Sequence, residues 1–149
     1  MVPIIMTRIN LVDVEDLSDQ HLFAEWREMV RIPTAVRKLN GQQFTGIPDT
    51  YRMGAGHVKF FYNKLNFLHE RYQQLTQELM TRNFKITIRD EDEVFFSGIV
   101  QRNQVPWEPS KEEIEISAER ISVRLREKPK LHRYFGEHRD PEFFIARYK

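Results

Sequence analysis

Three stretches of this chain repeat their apolar residues at spacings of three and four, and that periodicity confines the fold to packed amphipathic helices. In the first, Ser18 stands as an N-cap before Leu22, Phe23, Trp26, Met29 and Val30. The second runs over residues 57–82, with Val58, Phe61, Leu65, Leu68, Tyr72, Leu75 and Leu79 on one stripe. Asn83, a residue that tolerates the left-handed conformation, is its stop. The third opens on Ser110 and Glu113, a capping-box pattern, carries Ile114, Ala118, Ile121 and Leu125 on its apolar face, and ends at Pro129. The expected fold is all-α: a compact single domain of three main helices with long connecting loops. Residues 84–109 are read mainly as such a loop, with a small hairpin left open by the alternation of Ile86 and Ile88 and the apolar residues 94–96 beyond the acidic run at 90–93. Asp140 and Pro141 are placed to start a short final helix through Ile145, whose Phe143 and Phe144, with Tyr148, pack on the body rather than stack on bases.

Composition excludes more than it identifies. A chain of 149 residues is expected to form one domain and to bury roughly two thirds of its unfolded surface. It has no cysteine, so it holds no disulfide, thiolate ligand or thiol nucleophile. The apolar start MVPII lacks a basic region and a cleavage site, and no apolar run approaches a membrane span, so a soluble, cytoplasmic protein with no membrane partner is expected. The net charge of +1 says little, but its distribution says more. Residues 120–139 hold Arg120, Arg124, Arg126, Lys128, Lys130, Arg133 and Arg139 against Glu127 and Glu137. Such a run is either a solvated helix end or the footprint of a polyanion. The histidines, His21, His57, His69, His132 and His138, have no metal-site spacing, and neither a metal nor another cofactor is expected.

The first helix is chemically loaded on its other face. Gln20, Ala24, Arg27 and Arg31 make one row and His21, Glu25 and Glu28 the row beside it, so a carboxylate sits among arginines, as suits an anionic substrate. Taken alone, Glu28 beside Arg27 and Arg31 reads as a surface salt bridge of small energetic consequence. Gly54 and Gly56 read as a turn leading into the second helix, with a phosphate near Gly56 or His57 as the alternative.

Five segments then recur in a familiar order: MTRIN at residues 6–10, DQHLFAEWRE at 19–28, AVRK at 35–38, GAGHVKFFYNKLNFL at 54–68, and the region 117–136 with Arg120, Arg124 and Tyr134. Together they resemble the phage endonuclease V family of pyrimidine-dimer DNA glycosylases with AP-lyase activity. Several ordered matches over most of a small domain are far more specific than any single motif. The resemblance implies a glycosylase domain over residues 7–136, an N-terminal extension at 1–6 and a tail at 137–149 that exceeds the family pattern. It implies a monomer whose partner is double-stranded DNA containing pyrimidine dimers or abasic sites, working at the DNA in the cytoplasm, or in a host's cytoplasm if the chain is viral. It implies further that the nucleophile is the α-amine of Thr7, freed by removal of the preceding methionine, and that Glu28 handles protons and stabilises the cationic sugar. Lesion-side contacts are implied for Arg8, Gln20, His21, Arg27 and Arg31, and backbone contacts for Gly56, His57, Arg120 and Arg124. Two residues depart from the best-known member: Arg124 replaces a lysine, and Leu131 stands where that member has an aromatic side chain.

Imine chemistry asks for an unprotonated nitrogen. An α-amino group is roughly 10–20% neutral at pH 7, against well under about 0.1% for an unperturbed lysine. As written, residues 1–6 precede Thr7, whose nitrogen is then an amide with its lone pair delocalised into the carbonyl. An upstream start or an added segment is the preferred reading of those residues. Processing that exposes Thr7 is second, and a redirected nucleophile such as the Val2 amine is third. Two other functions stay open: a non-catalytic DNA-binding module, and a glycosylase or AP lyase for another damaged base.

Overall fold

Ser18 accepts a hydrogen bond from the His21 amide and so starts α1 (Asp19–Met29), as its position demands. The computed structural model describes residues 7–39 and 45–148. Residues 1–6, which include Met6 of the first motif, Val2 and the whole N-terminal extension, lie outside the described residues, as do 40–44 and 149. Past Val30 the chain enters α2 (Arg31–Lys38), which the AVRK segment completes and which the sequence reading did not anticipate.

The expected single helix over residues 57–82 is two helices, α3 (His57–Phe60) and α4 (Leu65–Thr81), separated by a 3-10 turn at Phe61–Asn63. The break is held by polar groups from elsewhere in the chain. Gln104 accepts from the Leu65 amide at 2.8 Å and donates to the Tyr62 carbonyl at 3.0 Å, while the Val105 amide donates to Asn63 O at 2.9 Å. Lys64 folds back over the break, donating to Phe60 O at 2.9 Å with its ammonium 3.8 Å from the Phe60 ring centroid. The apolar periodicity survives because the turn preserves the facing of Phe61 and Leu65, both fully buried. Asn83 ends the helical run in the left-handed conformation, as expected.

Residues 84–109 are neither a loop throughout nor a hairpin. Asp90 accepts from the Glu93 amide and opens α5 (Glu91–Phe96), which fully buries Phe95. The acidic run expected as solvated loop is thus the first turn of a helix, where negative charge favours the N-terminal end. The capping box at Ser110 and Glu113 is formed in both directions and starts α6 (Lys111–Glu127). Beyond it, β1 (Arg133–Tyr134) and β2 (Glu137–His138) pair antiparallel, so the fold is mostly helical with one small hairpin rather than strictly all-α. The tail forms α7 (Pro141–Ile145) and buries Phe144.

The central core joins Leu22 and Met29 of α1, Ile32 of α2, Leu65, Leu68, Leu75 and Leu79 of α4, Phe95 of α5 and Leu125 of α6, together with Ile9 and Leu17 of the N-terminal segment. No helix among the described residues is long and apolar enough to cross a membrane.

Candidate active site

A segment without helix or sheet must find partners for its backbone groups elsewhere. Residues 7–12 find them in side chains from across the fold. The Ile9 amide donates to His57 Nε2 at 2.9 Å, and the Tyr51 hydroxyl donates to Ile9 O at 2.7 Å. The Leu11 amide donates to Ser117 Oγ at 2.9 Å, and Arg71 Nη1 donates to Val12 O at 2.9 Å. Asn10 Nδ2 adds a bond to Glu25 Oε1 at 2.9 Å. Thr7, fully buried, donates from Oγ1 to the Glu28 carbonyl at 3.4 Å. The segment is thereby threaded between α1, α4 and α6, with its Thr7 end directed at the last turn of α1.

Two of the clamps, His57 and Tyr51, are tuned by burial. His57 is held to a pKa of about 4, chiefly by desolvation. Its ring is therefore neutral, with Nδ1 against Arg52 O at 2.8 Å and Nε2 free to accept from Ile9. Burial likewise pushes the Tyr51 hydroxyl up to about 12, so it remains a donor.

Beside Thr7, α1, α6 and the residues after α6 enclose a pocket of about 290 Å³ whose lining includes Arg8, His21, Glu28, Arg120, Arg124, Leu131 and His132. Glu28 is half-buried at the end of α1, and among the described residues its carboxylate is met only by Arg31 Nη1 at a long 3.4 Å. Among the described residues, Arg8 Nε is buried without a hydrogen-bond partner, and the Arg120 guanidinium bonds only the Met53 sulfur, at 3.5 Å. Arg120 is brought down to about 10, first by burial and then by the like charges of Arg8 and Arg124. Arg8, Arg120 and Arg124 share one wall, on which Arg124 pairs with Glu127 at 3.2 Å, so that Arg8 and Arg120 are the cationic groups best suited to an anion such as phosphate. At the opposite side His21 is lowered to about 4 by burial and by His132, on which it stacks at 4.9 Å with 19° between the rings.

Of the residues singled out from sequence, Arg8, His21, Glu28, Arg120 and Arg124 meet in this pocket, with Thr7 buried behind Glu28. Gln20 is turned to the chain after α6, where it donates to Leu131 O at 3.1 Å and accepts from the Arg133 amide at 2.9 Å. Arg27 is exposed, its guanidinium 5.7 Å from the Phe23 ring centroid, and Arg31 is half exposed on the same outer side. His57 has both ring nitrogens engaged within the fold, and its amide bonds Gly54 O at 3.1 Å, which leaves that helix start with Gly56 in the left-handed conformation as a turn.

The pairing of Glu25 with Glu28 on one open face is corrected. Glu25 is 2% exposed and is closed off by the N-terminal segment and α4, with Arg71 donating Nη2 to Oε1 at 3.1 Å and Nε to Oε2. Asn10, Arg71, Tyr51, Ser117 and His132 escaped the sequence reading as parts of the site's frame, because their roles depend on contacts across 15 to 114 residues of chain that no local pattern encodes. Lys128 and Leu131, also in the lining, carried a signal in the basic run itself. A family model described as pyrimidine dimer DNA glycosylase matches residues 6–92, more than half of the chain. That span holds the threaded segment, α1 and the clamps from α3 and α4, while Arg120 and Arg124 come to the pocket from beyond it.

Proposed function

The chain belongs to the pyrimidine dimer DNA glycosylase family, and from that premise we propose that it excises cyclobutane pyrimidine dimers through an imine on the α-amine of Thr7 and then nicks the strand. Family membership makes it a DNA-repair enzyme of the glycosylase and AP-lyase type, with damaged DNA as substrate. The observation that carries the finer reading is the threaded segment: side chains from four parts of the fold fix residues 7–12 so that Thr7 abuts the residue that ends in the Glu28 carboxylate. Fixing a nucleophile against its partner removes much of the entropic barrier to reaction.

The steps follow from the groups present. In a chain that begins at Thr7, the neutral amine attacks C1′ of the damaged nucleotide; the new N–C1′ bond forms as the glycosidic bond breaks, and the leaving base takes up a proton. The nitrogen then sheds a proton and its lone pair closes the C=N bond as C1′–O4′ breaks and O4′ is protonated, which gives the ring-opened, protonated imine. Glu28 supplies negative charge beside the cationic sugar. Loss of the C2′ proton to Glu28, directly or through water, then drives β-elimination of the 3′ phosphate. Arg8, Arg120 and Arg124 hold backbone phosphates of a duplex kinked at the lesion, where unstacking is cheaper than in intact DNA. His21, Gln20 and Arg27 from α1 and Arg31 from the start of α2 line the approach, and Gly56 lies beyond the clamp at His57.

The test compares two chains on duplex containing dimers. The form starting at Thr7 nicks the DNA and is trapped by borohydride, and the form retaining residues 1–6 does neither. Equal trapping of both forms, with intact mass confirming the extension, contradicts the assignment.

A further inference from the structure

The hairpin behind the pocket is built on a turn that its own sequence does not favour. Phe135 (φ 53°) and Gly136 (φ 81°) are consecutive left-handed residues between β1 and β2, the pattern of a type I′ turn, whose first central position ordinarily takes Asn, Asp or Gly. Holding an aromatic residue there strains the backbone, because its Cβ crowds the following carbonyl. Compensation comes from the start of α1. The Phe135 amide donates to Asp19 Oδ1 at 3.1 Å and the Gly136 amide to Asp19 Oδ2 at 2.8 Å. Arg82, its side chain fully buried, donates Nη1 to the same Oδ1 at 3.0 Å and Nε to Glu78 at 2.8 Å. Its guanidinium lies 4.6 Å from the Tyr134 ring centroid and 5.1 Å from that of Phe135. Ser18, Asp19, Gln20 and His21 thus hold, in turn, His132, the turn amides, Leu131 with Arg133, and the His132 ring.

We propose that Asp19 and Arg82 are positioning residues for DNA engagement: a buried pair that touches no substrate but sets the wall that Leu131 and His132 present to the pocket. The inference rests on the reading of that pocket as the DNA-engaging site. Its effect falls on affinity rather than on the chemical step, since none of the hydrogen bonds that pin residues 7–12 runs through Asp19 or Arg82.

The test uses the full chain and a duplex bearing a tetrahydrofuran abasic analogue. In Asp19→Asn, one carboxylate acceptor becomes a donor, so the Phe135 and Gly136 amides exchange with solvent faster and the duplex binds about tenfold more weakly. Adding Phe135→Asn, which suits the left-handed position, recovers most of the affinity. Arg82→Lys keeps the charge, loses the fork between Asp19 and Glu78, shifts affinity in the same direction by less, and decides the matter if Asp19→Asn does not fold. Unchanged affinity in the folded variants while the wild type binds, or unchanged exchange at the two turn amides, overturns this inference alone. A wild-type chain that fails to bind the duplex overturns the functional reading and this inference together.

Discussion

Glu25 and Glu28 stand one turn apart on the same helix and serve opposite ends. Glu25 is sealed: Asn10 and Arg71 occupy its oxygens, and it is 2% exposed. Glu28 keeps an open carboxylate on the pocket, with one long contact to a half-exposed arginine. The difference lies not in the glutamates but in what covers them. The threaded segment lies over Glu25, and its Thr7 hydroxyl reaches the Glu28 backbone carbonyl at 3.4 Å, so the element that buries one carboxylate also runs beside the residue that carries the other. A buried ion pair of the first kind is retained because removing one partner strands a charge, whereas a loose surface pair contributes little to stability and leaves its carboxylate available for chemistry.

Four tests would break or sharpen that contrast. The largest effect is expected from Glu28→Gln in a chain starting at Thr7: cleavage at dimers falls by about a hundredfold to ten-thousandfold, while DNA binding stays within a few-fold and the melting temperature hardly moves. Near-normal turnover would reduce Glu28 to an ion-pair partner and erase the distinction. Next, Arg71→Met leaves Glu25 buried and unpaired and is expected to lower unfolding free energy by about 3–5 kcal/mol, read from urea denaturation, with Glu25→Leu restoring much of it in the double variant. A loss comparable to a surface substitution would mean that Glu25 is no more structural than Glu28.

Acid sharpens the comparison at a smaller scale. His57, which clamps Ile9, and His21 are each lowered to about 4 in the fold from the ordinary histidine value of 6.5, mainly by burial. Between those values the unfolded chain binds more protons than the folded one, so stability is full above pH 6.5 and is lost as pH falls towards 4. The slope is at most about 1.4 kcal/mol per pH unit for each histidine. His57→Gln should flatten that dependence in thermal melts across the same range, and an unaltered profile would remove His57 from the clamp. The smallest shift belongs to the pocket's cationic wall: Arg120→Ala and Arg124→Ala should each flatten the slope of log K against log salt by about 0.9, on damaged and undamaged duplex alike. Unchanged slopes with helicity retained would put the phosphates elsewhere.

What could be read from sequence was local. The Ser110 capping box, the left-handed stop at Asn83 and the α4 stripe each depend on residues within a few positions of one another, and all three are present. Asp90 and Glu93 form a capping pattern of the same kind, yet four consecutive acidic residues drew attention as charge and hid the helix that buries Phe95. The break between α3 and α4 was illegible because Gln104, about forty residues on, satisfies it. The hairpin was illegible for a like reason: Phe135 is a poor turn residue made acceptable by Asp19. In the site, Arg8, His21, Glu28, Arg120 and Arg124, which the family resemblance singled out, line one pocket, whereas helical spacing alone puts Glu25 and Glu28 in one row, since the partner that distinguishes them, Arg71, sits on another helix.

The proposal that the Thr7 amine is the nucleophile is tested most directly by locating the covalent bond. A chain starting at Thr7 is reacted with dimer-containing duplex under borohydride, the adduct is digested, and the peptide carrying the sugar remnant is sequenced by mass spectrometry. The expected result is a remnant on the α-nitrogen of Thr7 and a sharp loss of adduct when that amine is blocked by acetylation. A remnant on a lysine side chain, with undiminished trapping after the terminus is blocked, would contradict it.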